Sequence, residues 1–176
     1  MVSVTLAVAC LFAAVSAAAS SAQCDFGGPF QAYKSVNGPG NGGYYLRKTT
    51  KPGTPECAYV LVPQNTLSEG QSTSFTYGKL QNGQMIQLTA TVTVNGDKIE
   101  VTGAGQDLSG TTTVLFSDYR SCDVMRGPDG NYELWVHSSA INLQSYGCCD
   151  TKFAQVAGGR PIHHTWQTYC PPLPRQ

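Results

Sequence analysis

The chain has 176 residues, enough for one domain with a sizeable core. Eleven basic and eleven acidic residues cancel, and only 12% of the chain is charged. That balance excludes the electrostatic footprint of a nucleic-acid or anionic-membrane binder.

Residues 1–22, "MVSVTLAVACLFAAVSAAASSA", carry no charge and pass from an apolar run to small residues. They are predicted to be a secretory signal, although a basic n-region is missing, and the run is short for a membrane span. The expected product is a secreted, extracellular protein with a single domain over residues 23–176. Losing the signal also removes Cys10, which leaves Cys24, Cys57, Cys122, Cys148, Cys149 and Cys170. An even count in a secreted chain predicts three disulfides. Cys148 and Cys149 are adjacent, so they are expected to bond to two different partners. No CxxC pair or histidine spacing marks a zinc site, and no cofactor is expected.

"PFQAYKSV" (29–36) predicts a short N-terminal helical turn with Pro29 at its first position, broken by "NGPGNGG". "YYLRKTT" (44–50), "CAYVLV" (57–62) and "STSFTYGKL" (72–80) read as strands separated by turn residues. In "QMIQLTATVTV", Ile86, Leu88, Ala90, Val92 and Val94 alternate with polar residues, which gives a strand with one apolar face. Asn95-Gly96 then marks a hairpin. "DKIEVTG" (97–103) and "TTTVLFSDY" (111–119) are the fifth and sixth strands, and "CDVMRGPDGNYELW" (122–135) supplies two more around a turn. "CCDTKFAQVAGG" (148–159) places Cys149, Phe153 and Val156 at helical spacing, with Gly158 suited to the stop. The remaining "RPIHHTWQTYCPPLPRQ" reads as an irregular tail. Eight strands joined by hairpins and followed by one helix predict a closed up-and-down antiparallel barrel rather than a sandwich. Such a barrel is wide enough for one small ligand.

No GxSxG, Walker, HExxH or dinucleotide motif is present, so no enzyme is expected. "GAGQDLSG" (103–110) lies between two predicted strands and is read as a turn. His163-His164 is read as a surface pair, because neighbours in extended chain point apart. Asn-x-Ser/Thr does not occur.

The pair of strands at 122–135 poses the question of function. On the second of them Glu133 and Trp135 share one face, while Tyr132, Leu134 and Val136 share the other. Apolar content alone favours the latter face toward the barrel and leaves the acid and indole wet. The alternative turns Glu133 and Trp135 inward. A carboxylate buried there needs a cation or hydrogen-bond partners, and a bound amine beside an indole meets that need.

These residues also carry a resemblance. Cys122-Asp123-Val124, eight residues, Glu133-Leu134-Trp135, twelve residues and Cys148 match the biogenic-amine signature of the tick salivary lipocalins. That family includes histamine- and serotonin-binding proteins. The likeness extends from "FQAYKS" through "YYLRKTT", "ECAYV", "TVTVNGDKIEVTG" and "SDYRSCDV" to "CCDTKFAQVAGG", and the layout is similar to soft-tick members. The resemblance implies an all-β, eight-stranded antiparallel lipocalin barrel with one C-terminal helix. It implies that Asp123 and Glu133 face the ligand's ammonium and that Trp135 packs on its ring, with Tyr45, Phe116 and Tyr119 as weaker aromatic candidates. It also implies bridges Cys57–Cys170, Cys122–Cys149 and Cys24–Cys148, the partners of Cys148 and Cys149 being interchangeable at this stage. The Gly-x-Trp start of most vertebrate lipocalins is absent.

The expected function is sequestration of host histamine or serotonin by a secreted, non-enzymatic salivary protein. Two alternatives remain. An eicosanoid scavenger needs a basic anchor such as Arg47 or Arg120 facing inward. A module that binds a host plasma protein, for instance a complement component, would act through loops whose sequence identifies no contact.

Overall fold

Hairpin chemistry and period-two alternation carry through to the architecture. The computed structural model describes residues 24–104 and 108–175. The signal expected over residues 1–22 lies outside the described residues. A short helix α1 (Ala32–Asn37) precedes β1 (Gly43–Thr49), β2 (Tyr59–Leu61), β3 (Ser72–Gln81), β4 (Gln84–Asn95), β5 (Lys98–Thr102), β6 (Gly110–Ser117), β7 (Cys122–Arg126) and β8 (Tyr132–His137). The helix α2 (Cys148–Ala157) and a two-residue strand β9 (His163–His164) complete the chain. Every neighbouring pair from β2 to β8 is antiparallel, β8 pairs with β1, and β1 closes the barrel on β2. Closure leaves no long exposed edge to template aggregation.

The tail is less irregular than its sequence implies. Pairing of β1 with β2 ends at Tyr45–Tyr59, and β9 takes over the same edge at Lys48 and Thr49. Two residues carry no periodicity, so this strand has no signature to read. Its histidines behave as a surface pair, with His163 half-buried and His164 exposed.

The apolar face of β7 and β8 lies under α2 and not in the barrel, which decides the ambiguity at residues 122–135. Val124, Leu134 and Val136 pack outward, in one cluster with Cys149, Phe153 and Ala157 of α2. The opposite face lines the barrel interior. Apolar content therefore pointed to the wrong inner face: the apolar residues face a helix rather than the cavity. Inside the barrel, Ala90, Val92 and Val94 of β4 meet Ile99, Val101 and Val114. Three bridges, Cys24–Cys148, Cys57–Cys170 and Cys122–Cys149, tie the N-terminal segment, β2 and β7 to the C-terminal third of the chain.

Candidate functional site

The register of β7 against β8 sets the site. Asp123 lies opposite Trp135, and Met125 lies opposite Glu133. All four line one interior cavity of about 90 Å³, together with Tyr44, Ser35 and the apolar residues Val60, Val92, Ile99 and Val101. On the other side of β8, Leu46 faces Trp135, Thr49 faces Glu133, and Tyr44 faces His137. Side chains thus stand in rows. Glu133 occupies one row, Trp135 and Asp123 the next, and Tyr44 the one beyond. Two residues of strand separate the levels of Glu133 and Asp123, roughly 7 Å along the chain. Asp123 stands level with the indole, and Glu133 lies one row away from both.

Both acids are held by hydrogen bonds. The indole N–H of Trp135 donates to Glu133 Oε2 at 2.8 Å, which fixes the ring against its own strand. Ser35 of α1 donates to Asp123 Oδ1 at 2.8 Å, so the plugging helix is anchored on a cavity carboxylate. No ion pair among the described residues involves either acid. Burial pushes the Asp123 carboxyl up to about 7, against the opposing effect of hydrogen bonds from Ser117 and Ser35. Burial also raises Glu133, against the indole N–H and the distant charge of Lys51, while Asp129 adds repulsion. A carboxylate in this setting gains from a cation more than a solvated one does.

A second chamber of about 450 Å³ adjoins the first, and Val60, Leu108, Glu133 and Trp135 belong to both. Lys51, Thr54 and Pro55 from the β1–β2 connection and Lys79 and Leu88 from the β3–β4 hairpin line it. Leu88, on the alternating face of β4, is 44% exposed there because its hairpin extends to this end of the barrel. The smaller cavity alone falls below the ~300 Å³ of ordinary ligand pockets. Glu133 and Trp135 stand where the two chambers meet.

Three aromatic candidates lie elsewhere. Tyr45 pairs with Val136, which puts it in the outer cluster, and its hydroxyl donates to the Pro171 carbonyl at 2.6 Å. Phe116 is turned outward by an irregularity in β6. Val114 pairs with Met125 on the inner face, the register then shifts, and Phe116 pairs with outward-facing Val124. There its ring meets Phe26 and Phe30 edge-on. Tyr119 sits in the β6–β7 turn, where its hydroxyl accepts the Gln31 N–H at 3.0 Å and holds the N-terminal segment. None of the three lines either cavity. The basic anchors for a fatty anion are also displaced. Arg47 stacks on Trp166 and donates to its carbonyl, and Arg120 is exposed in a turn.

Tyr44 and Ser35 are the cavity residues that sequence reading passed over. Tyr44 is recognisable once β1 is aligned with β8, because it lies two residues from the partner of Trp135. His137, which showed no partner in sequence, contacts the Asn41 carbonyl through Nε2 and the Ser139 hydroxyl through Nδ1, each at 2.8 Å, and meets the Tyr44 ring edge-on.

An eight-stranded closed barrel with a plugging helix and an interior acid–indole cavity defines a lipocalin. The siderocalin Ex-FABP shares the fold at 16% identity and a TM-score of 0.51, over 77% of this chain and 98% of that one. The tick histamine-binding protein family matches residues 28–172, and the chain belongs to that family. It is also 97% identical to AM182, which has been crystallised as a serotonin complex. That match has a TM-score of 0.83 and covers 86% of this chain and 100% of that one. The family is the one that the Cys122–Cys148 signature implied.

Proposed function

We propose that this protein is a secreted, non-catalytic scavenger that binds a small aromatic amine inside the barrel. The observation that carries the reading is a buried Asp123 and a half-buried Glu133 that form no ion pair among the described residues, beside an indole in a largely apolar cavity. The ammonium pairs with Glu133, whose carboxylate borders both chambers, and rests against the face of Trp135. Cation–π attraction in a desolvated site contributes about 2 kcal/mol, and a charge-assisted hydrogen bond about 1.5–3 kcal/mol. Asp123 presents a second acceptor one row deeper. Family membership and the serotonin complex of AM182 support the same ligand class. A small cation held this way is withdrawn from solution without being altered, so the effect on a host depends on the amount of protein secreted.

Titration calorimetry with serotonin and histamine tests the proposal. One equivalent of amine is expected to bind at micromolar concentration or below. Glu133→Gln, which keeps an oxygen for the Trp135 N–H, is expected to weaken binding at least tenfold. Absence of heat at micromolar protein, or undiminished affinity in the variant, would sink it.

A further inference from the structure

Lys51 is a built-in rival of the ligand. It lines the second chamber together with Glu133, and it carries the same kind of group, an ammonium on a flexible stem. Of the two lysines lining that chamber, it is the one whose charge Glu133 feels. A tethered ammonium within reach of a carboxylate acts at an effective concentration of roughly millimolar. A free amine at micromolar concentration competes poorly with it. The site works only if Lys51 is held elsewhere.

The β7–β8 turn holds it. Lys51 Nζ lies 3.2 Å from Asp129 Oδ2. Asp129 Oδ1 accepts the Asn131 N–H at 3.0 Å, which fixes the carboxylate on the turn. Partial burial opposes ionisation there, but the Asn131 and Lys51 contacts outweigh it and hold the Asp129 carboxyl below its usual range, so it keeps its charge. Gly127 completes the arrangement. A side chain on it would fall 3.2 Å from Asp129 Oδ1 and 3.6 Å from Glu133 Oε1, so both carboxylates converge on the space that one glycine leaves open. Lys51 thus has two acids in its neighbourhood and is bonded to the exposed one rather than the half-buried one. At Asp129 the lysine stays partly solvated, whereas pairing with Glu133 would strip more of its water. Resting on the amine reading above, we infer that Asp129 is a positioning residue that detains Lys51 at the β7–β8 turn and so leaves Glu133 free for the ammonium of the ligand.

Calorimetry with serotonin and histamine on wild type, Asp129→Ser, Lys51→Met and the double variant tests this. Serine keeps an oxygen for the Asn131 N–H, and methionine keeps most of the lysine stem. In Asp129→Ser the freed lysine is expected to occupy Glu133 and to lower the affinity of whichever amine wild type binds about tenfold. Lys51→Met alone is expected to bind at least as tightly as wild type. The double variant removes a pair with no net charge and is expected to return to within about twofold of wild type. That recovery separates detention of Lys51 from a structural role of the turn, which a change at Lys51 would not repair. Undiminished affinity in Asp129→Ser, a loss that Lys51→Met does not reverse, or weaker binding in Lys51→Met alone each overturns the role of Asp129 while the amine reading stands. If wild type binds neither amine, the amine reading itself fails, and this inference with it.

Discussion

Asp123 makes the site sensitive to pH in a direction that can be worked out. Its folded-state value is raised from 3.8 to about 7, chiefly by burial. A carboxyl shifted this way favours the folded state while protonated. Its contribution is fully present below the unfolded value and is lost as pH rises through about 7. The ligand-free protein is therefore expected to melt at a lower temperature at about pH 8 than at about pH 6. Affinity for the amine moves the opposite way, because the ionised acid is the better partner for an ammonium. The rise in melting temperature on adding amine should widen across that interval. Asp123→Asn keeps acceptors for Ser35 and Ser117 and should flatten both trends in differential scanning fluorimetry. A pH profile identical to wild type would place the titrating group elsewhere.

At the scale of elements, β8 divides two tasks between its faces. Leu134 is fully buried beneath α2, while Trp135 lines the cavity. Leu134→Ala is expected to cost about 2–5 kcal/mol in urea unfolding and to leave amine affinity within a few-fold of wild type. Trp135→Leu is expected to reverse the pattern, with a large loss of affinity and a smaller loss of stability. Comparable affinity losses in both variants would mean that the two faces do not separate. This division also explains what the sequence revealed and what it hid. The eight barrel strands and α2 were legible because β4 alternates strictly and Asn95-Gly96 specifies its turn. The acid–indole pair was legible as a motif, but its direction was not: α2 covers Leu134 and Val136, so the apolar face of β8 is buried without lining the cavity. Tyr44 could not be told from Tyr45, because the choice rests on register with β8. Phe116 was misplaced because the shift between Val114 and Phe116 reverses its face, and nothing in "TTTVLFS" announces it.

The whole molecule reads as a barrel stapled from outside so that its interior can hold charge. Bridges spanning 124 and 113 residues anchor the N-terminal segment to α2 and β2 to the tail, and the third fastens β7 to α2 beside Asp123. Such links constrain the unfolded chain and offset part of the cost of placing two acids inside the barrel. Ser35 joins α1 to the same carboxylate, so the plug and the site share one hydrogen bond. The central claim is that the amine lies against Trp135 within reach of Glu133. The chain has two tryptophans, so Trp166→Phe leaves Trp135 as its only indole. Fluorescence titration of that variant with serotonin excited outside the ligand's own absorption is unworkable, so histamine, which does not emit, is the probe. A saturable change in Trp135 emission is expected, complete near one equivalent and lost when Glu133→Gln is added. Calorimetric binding of histamine with no change in Trp135 emission would contradict it.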